Sequence, residues 1–396
     1  MQHGTRWAIG IACLVVLLLS GPAMVGARLP QDAGEHFMLT IVYDSYGRRT
    51  DLGKDWGFAC MVEGPEKTIL FDTGGDGQIL MSNIEALGLD PDAVDAVVLS
   101  HEHRDHIGGL AAFLERNSDV TVYVPEVYVR HVQATVDEAG ARLVAVDKPV
   151  RICPGAWSTG QVRRGRVEQA LALQTPDGLV VITGCAHPGV VQMVGAAREA
   201  HGGPVALVMG GFHLRSAGRE ELMTVRRELE AQEVRCVAPC HCSGENTRKR
   251  FAQWLGHNYV RSGVGTRLDT RLLEQIVCLY GPSEAAEREA VSALLEEIGA
   301  RYRMVEGPEL TAARAEKCAV LAIPARDPAR LGEAQRGQVG AFLSEGGCCA
   351  AFDEAIAAAL PEVPEGELAV LPAPSEGNQE AATALRDLLL GRAGRD

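Results

Sequence analysis

Basic residues are scarce relative to acidic ones in this chain of 396 residues, with 38 Lys and Arg against 52 Asp and Glu and a formal charge of −14. Gripping a phosphate backbone needs clustered cations, so the balance argues against a general nucleic-acid binder. Histidine runs out early: the last is His257, which removes Ser–His and Cys–His catalysis from everything C-terminal to it. Asp72-Thr73-Gly74 has no second copy, so a paired-aspartate protease mechanism lacks its other half. No internal repeat is present. The eleven cysteines are plentiful, but their spacing is irregular and spells out no disulfide framework.

What is present fits a globular protein of two domains, with 46% hydrophobic and 23% charged residues. The first segment stands apart. Arg6, an apolar run over 8–19 and the small residues Val25-Gly26-Ala27 form the pattern of a secretory signal peptide over 1–27. Cleavage would give a periplasmic or secreted protein; left uncut, residues 7–25 would anchor the chain in a membrane.

From about residue 36 to 271, short apolar runs alternate with amphipathic stretches. Strands are expected at 37–43, 68–71, 94–99, 120–124, 179–183, 205–208 and 234–237. Helices are expected at 78–87, 108–115, 190–200, 219–231 and 245–255. A second block, 276–396, alternates strand and helix in the manner of a small doubly wound, flavodoxin-like α/β domain.

The densest chemistry lies at Ser100-His101-Glu102-His103-Arg104-Asp105-His106, directly after an apolar strand. In an extended segment His101 and His103 lie on one side, so both imidazoles can reach one ion, while Asp105 and His106 turn towards a second. Imidazole nitrogen and carboxylate oxygen suit zinc. Further histidines close later strands: His187 in Thr183-Gly184-Cys185-Ala186-His187, His213 in Gly210-Gly211-Phe212-His213, and His241 in Cys240-His241-Cys242.

This H-x-H-x-D-H pattern, followed by His187 and His241 and preceded by Phe71-Asp72-Thr73-Gly74, resembles the metallo-β-lactamase superfamily. Within it, the motifs around His187, His213 and His241 look like the branch similar to dihydropterin–(ribofuranosyl)aminobenzene-phosphate synthases. The resemblance covers roughly 36–271 and implies an αββα sandwich. It implies two zinc ions, with iron or manganese as alternatives: His101, His103 and His187 on the first, Asp105, His106 and His241 on the second. It also implies that Asp72 orients ligands and that Asp105 positions the nucleophile. One departure stands out: where the superfamily usually has a bridging Asp, this chain has Gly210-Gly211-Phe212-His213, and His213 is assigned a catalytic or substrate role.

The chemistry implied is hydrolysis of a small-molecule ester, lactone, amide or phosphoester by metal-generated hydroxide. A transfer joining a pterin to an aryl-ribosyl phosphate is the alternative from the synthase-like branch. A flavodiiron-type oxidoreductase is a third reading, since such enzymes also join this fold to a flavodoxin-like domain. The segment 279–284 falls where a flavin-phosphate loop would lie, but it offers only the hydroxyl of Ser283. The C-terminal domain, without histidine or a nucleophile elbow, is expected to bind or assemble rather than catalyse.

Overall fold

The computed structural model describes residues 34–47, 49–281, 283–305, 318–344, 347–360, 367–373 and 379–392. The leader expected over 1–27 lies outside the described residues. No helix among the described residues is long and apolar enough to cross a membrane.

The first sheet places β1 (Met38–Tyr43), β2 (Ala59–Glu63), β3 (Thr68–Phe71), β4 (Val94–Val98), β5 (Thr121–Pro125) and β6 (Arg142–Val146) side by side in chain order. β1 to β3 are antiparallel, whereas β3 to β6 run parallel. Parallel neighbours need crossovers, and the helices Gly77–Ala86, Leu110–Arg116 and Val129–Ala139 supply them. The second sheet takes β7 (Val150–Cys153), β8 (Ala156–Ser158), β9 (Leu171–Thr175), β10 (Gly178–Thr183), β11 (Val205–Gly211) and β12 (Val234–Cys240). β13 (Arg267–Asp269) then returns to pair with β1.

Side-chain alternation explains how both faces of each sheet are covered. On β10, Val180 and Ile182 point between the sheets, among Leu39, Ile41, Phe71 and Met209. Their neighbours Leu179 and Val181 face the other way, onto Met193 and Val194 of the helix Val190–His201. The outer face of the first sheet, including Met61, Leu70 and Val97, packs on Leu80, Phe113 and Val132 from its crossover helices. The layers are therefore helix, sheet, sheet, helix. Strands buried on both faces read as unbroken apolar runs. Each Leu- or Phe-sized side chain so buried contributes about 1.5–3 kcal/mol.

A third sheet holds β14 (Ile276–Tyr280), β15 (Arg301–Val305), β16 (Cys318–Ile323), β17 (Cys348–Ala351) and β18 (Glu367–Val370). All its pairings are parallel, in the spatial order β15-β14-β16-β17-β18. Val277 and Leu279 pack on Val291, Leu295 and Leu385 on one face, while Cys278 and Tyr280 meet Val339 and Phe342 on the other. Arg301, buried, ties this sheet to the end of the sandwich by donating to the carbonyls of His257 and Leu273 and to Asn258 Oδ1. The ten described cysteines are all thiols, none in a disulfide.

Candidate metal centre

Five strand ends build the site. Asp72 follows β3, the His101–His106 segment follows β4, Cys185 to His187 follow β10, His213 follows β11 and His241 follows β12. Within each sheet these strands are parallel, so their C-terminal ends reach one rim together. The chain turns sharply there: Asp72, Ala186, His213 and His241 hold φ of 56°, 58°, 53° and 47°. A left-handed conformation costs a non-glycine residue roughly 1–2 kcal/mol, which the surrounding hydrogen bonds must offset.

The expected ligands fall into two clusters. In the first, His101 Nε2 lies 3.1 Å from His103 Nδ1, and His187 brings a ring nitrogen within 4.8 Å of both. In the second, His106 Nε2 and His241 Nε2 are 3.2 Å apart, and Asp105 Oδ2 lies 3.6 Å from the former and 3.3 Å from the latter. His213 stands at the mouth, exposed, its ring 4.5 Å from that of His187.

The outward-facing nitrogen of three rings is engaged by an oxygen, which fixes the ring and leaves the other nitrogen free to ligate. Asp72 Oδ2 accepts from His106 Nδ1 at 2.7 Å and from Ser100 Oγ at 2.7 Å, while its Oδ1 accepts from Ser100 N at 2.7 Å. Ser100 Oγ in turn meets His101 Nδ1 at 2.9 Å. Glu168 Oε2 accepts from His187 Nδ1 at 3.0 Å, and the same carboxylate accepts from the backbone N–H of Cys185, Ala186 and His187. Behind His241, the buried Asp44 accepts from its backbone N–H at 3.1 Å.

Electrostatics suits ligation. Burial, reinforced by the neighbouring imidazoles, holds the pKa of His101 well below its ordinary value, in the neutral form that metals require. Burial opposes ionisation of Asp105 and Glu168, yet both carboxyls sit below their usual range. Asp105 is held there by the hydrogen bond from His241 and the charges of His106 and His241, Glu168 by the His187 ring and the backbone N–H groups of His187 and Ala186. Burial would lower His106 as well, but Asp72 outweighs it and lifts the pKa to about 9.

The spacing fits a metal ion. A tetrahedral ion about 2.0–2.1 Å from its nitrogen and oxygen ligands separates them by ~3.3 Å, close to the distances within the second cluster. Sequence reasoning missed three contributors to the rim. Cys185 Sγ lies 3.3 Å from His106 Nε2 and 3.4 Å from His241 Nε2. Its place two residues before His187 was a usable signal. Glu168 and Asp44 sit in no motif and carried none. The absence of a bridging Asp also has a cause: a Cβ on Gly210 would lie 2.0 Å from Thr183 O, and one on Gly211 2.3 Å from Gly184 O.

A cleft of about 430 Å³ opens beside Asp105, lined by Asp55, Trp56, Asp76 and Arg104. Trp56 is 41% exposed; its ring lies 4.7 Å from that of His241, and the Arg215 guanidinium sits 5.2 Å over it. A larger cavity of 810 Å³, between Tyr46, Arg248 and the helix Ala285–Glu297, touches none of the clustered ligands.

Residues 57–241 match the family model described as the metallo-β-lactamase superfamily. The chain is 26% identical over 275 residues, 57% of itself and 94% of the relative, to 7,8-dihydropterin-6-methyl-4-(β-D-ribofuranosyl)-aminobenzene-5′-phosphate synthase of Methanocaldococcus jannaschii. A shorter stretch of 78 residues is 33% identical to hydroxyacylglutathione hydrolase of Serratia proteamaculans, covering 20% of this chain and 27% of the relative. Among solved structures, a metal-dependent hydrolase of the β-lactamase superfamily aligns over 58% of this chain and 98% of its own, at 24% identity and a TM-score of 0.49. The segment that delivers the histidines, from the glycine beside Trp56 to His241, is thus a domain of the metallo-β-lactamase superfamily.

Proposed function

We propose that this rim holds two metal ions, zinc favoured over iron or manganese, and that the chain hydrolyses a small-molecule ester, lactone, amide or phosphoester. The second cluster carries the reading: its nitrogen and oxygen atoms converge at separations of 3.2–3.6 Å beside a histidine triad. His101, His103 and His187 would hold one ion; Asp105, His106 and His241 would hold the other. Two zinc ions bound there would acidify a shared water and supply a nucleophile near neutral pH.

The chain's own residues account for orientation and proton traffic. Asp105 stays ionised and can accept a hydrogen bond from the attacking water. Asp72 and Glu168 keep their imidazoles in the ligating tautomer. His213, at the mouth and beside His187, is placed to give a proton to a leaving group. The exposed Trp56 face and the Arg215 guanidinium offer an aromatic and a cationic contact, a pairing that suits an anionic substrate.

The likeness to the methanogen synthase supports a second reading, transfer of a dihydropterin to an aryl-ribosyl phosphate. Turnover of phosphoesters and lactones by the metal-loaded chain, lost in His103→Ala, would support hydrolysis. A loaded chain that leaves every ester intact but joins pterin to aryl-ribosyl phosphate would overturn it in favour of transfer.

We read residues 36–271 and 276–396 as separate domains, a division supported by the absence of strand pairing between the third sheet and the others among the described residues. The C-terminal one is read as flavodoxin-like and non-catalytic; its strand order, 2-1-3-4-5 counted from β14, supports this. Export through the N-terminal leader completes the proposal.

A further inference from the structure

We propose that Cys185 is a thiolate ligand of the second metal ion, filling the coordination position left without a bridging carboxylate. The assignment rests on the two-metal reading of the rim. Cys185 Sγ stands 3.3 Å from His106 Nε2 and 3.4 Å from His241 Nε2. With Asp105 it completes a set of four ligand atoms lying within 4.8 Å of one another. In a tetrahedral zinc site with Zn–S near 2.3 Å and Zn–N near 2.0–2.1 Å, sulfur and nitrogen lie ~3.5 Å apart. A single thiol proton serves one of the two facing nitrogens; a cation serves the whole set.

The backbone explains why sulfur takes this place. No side chain fits at Gly210 or Gly211, where an added Cβ would meet the carbonyl oxygens of Thr183 and Gly184 at 2.0 and 2.3 Å. A carboxylate cannot come from Gly210 or Gly211, and Cys185 at the neighbouring end of β10 fills that side of the cluster. Cys185 is buried, and its N–H donates to Glu168 Oε1 at 2.8 Å. The carboxylate that orients His187 therefore also fixes the sulfur. The same sulfur lies within 4.8 Å of ligand atoms of His187 and His213, so it faces the gap between the two clusters. The nearby Cys242 is a different case. Its Sγ points to the Cys185 carbonyl at 3.6 Å, and it belongs to none of the ligand groups among the described residues. A thiolate makes the second position softer than an all-nitrogen-and-oxygen site, favouring zinc or cobalt over manganese.

Cobalt replacement tests this without relying on turnover. The full chain is stripped by a chelator and loaded with Co²⁺, and cobalt per chain and the near-ultraviolet spectrum are recorded for wild type, Cys185→Ala, Cys185→Ser and Cys242→Ala. The expected result is two cobalt ions in wild type with a thiolate-to-cobalt charge-transfer band. That band disappears in both Cys185 variants, which also hold one of the two ions more weakly, and it persists in Cys242→Ala. Cys185→Ser keeps the side-chain volume nearly unchanged, which guards against a folding defect in the alanine variant. Two bound cobalt ions with no such band, or a band unchanged in Cys185→Ala, would overturn the proposal and leave the two-metal reading standing. Fewer than two ions in wild type would overturn that reading itself.

Discussion

In the sandwich, the ends of β3, β4, β10, β11 and β12 carry imidazole, carboxylate and thiol groups between Asp72 and His241, with their lone pairs turned inward. In the C-terminal sheet, the ends of β14 and β16 lie at the equivalent edge of a parallel sheet, and the polar groups just beyond them are already satisfied. Glu287 accepts from the Glu284 backbone N–H at 2.7 Å, Asp327 caps the turn at Ala329 N, and Arg330 pairs with Glu284. The helix Ala285–Glu297 that follows has two carboxylates at its start, Glu284 and Glu287, where a flavin phosphate would meet like charge. Strand ends on a parallel edge provide a location; only groups left needing a cation or a proton make a site of it.

The largest expected effect is confined to the sandwich. His103→Ala should remove metal and turnover together, measured by elemental analysis and substrate assay on one preparation. Leu385→Ala, in the core of the C-terminal sheet, should cost about 2–5 kcal/mol of stability by denaturant titration. Metal per chain should stay at the wild-type value in that variant, and a loss would break the contrast between the two regions.

A third test sharpens the contrast through pH. His106 has its pKa raised to about 9 from an ordinary 6.5: burial opposes the charged form, and Asp72 overcomes it. A raised folded-state pKa gives stability that is complete below 6.5 and lost as pH climbs through 9. The ceiling is ~3 kcal/mol at 1.36 kcal/mol per pKa unit. Burial also raises Asp72, so the ion pair delivers only part of this. The chelated chain should therefore show a Tm that falls between pH 6.5 and 9, while the loaded chain stays level because an ion replaces the proton on Nε2. A Tm that rises over that range without metal would contradict the pairing.

Smaller effects are expected one step out from the ligands. Asp72→Asn and Glu168→Gln should each weaken metal binding by about 10–100-fold in a competition assay with a chelating dye. An unchanged affinity at either position would contradict the orienting role of that carboxylate.

Much of the fold was legible in the sequence where local pattern and burial agree. The helices Arg219–Ala231 and Glu245–Leu255 and the strand Thr68–Phe71 follow apolar spacing to the residue. The helix Val129–Ala139 was missed: its buried face is Val132 and Val136, β-branched residues that favour strands, and only the left-handed Gly140 marks its end. β2 and β7 to β9 were missed too, since antiparallel strands of three to five residues give little periodic signal. Of the site, the residues adjacent in the chain, His101, His103, Asp105 and His106, were legible from spacing alone. Glu168 was not. Its role comes from three backbone N–H groups turned onto it by the bend after β10, which no spacing in the sequence records.

The proposed two-ion site at one rim is what would set the sandwich apart from the C-terminal sheet, and counting metal on the purified full chain tests this most directly. About two zinc per chain, lost in the His101→Ala, His103→Ala double variant, is the expected result. A chain that folds, retains its secondary structure and binds no metal at neutral pH with zinc in excess would contradict it.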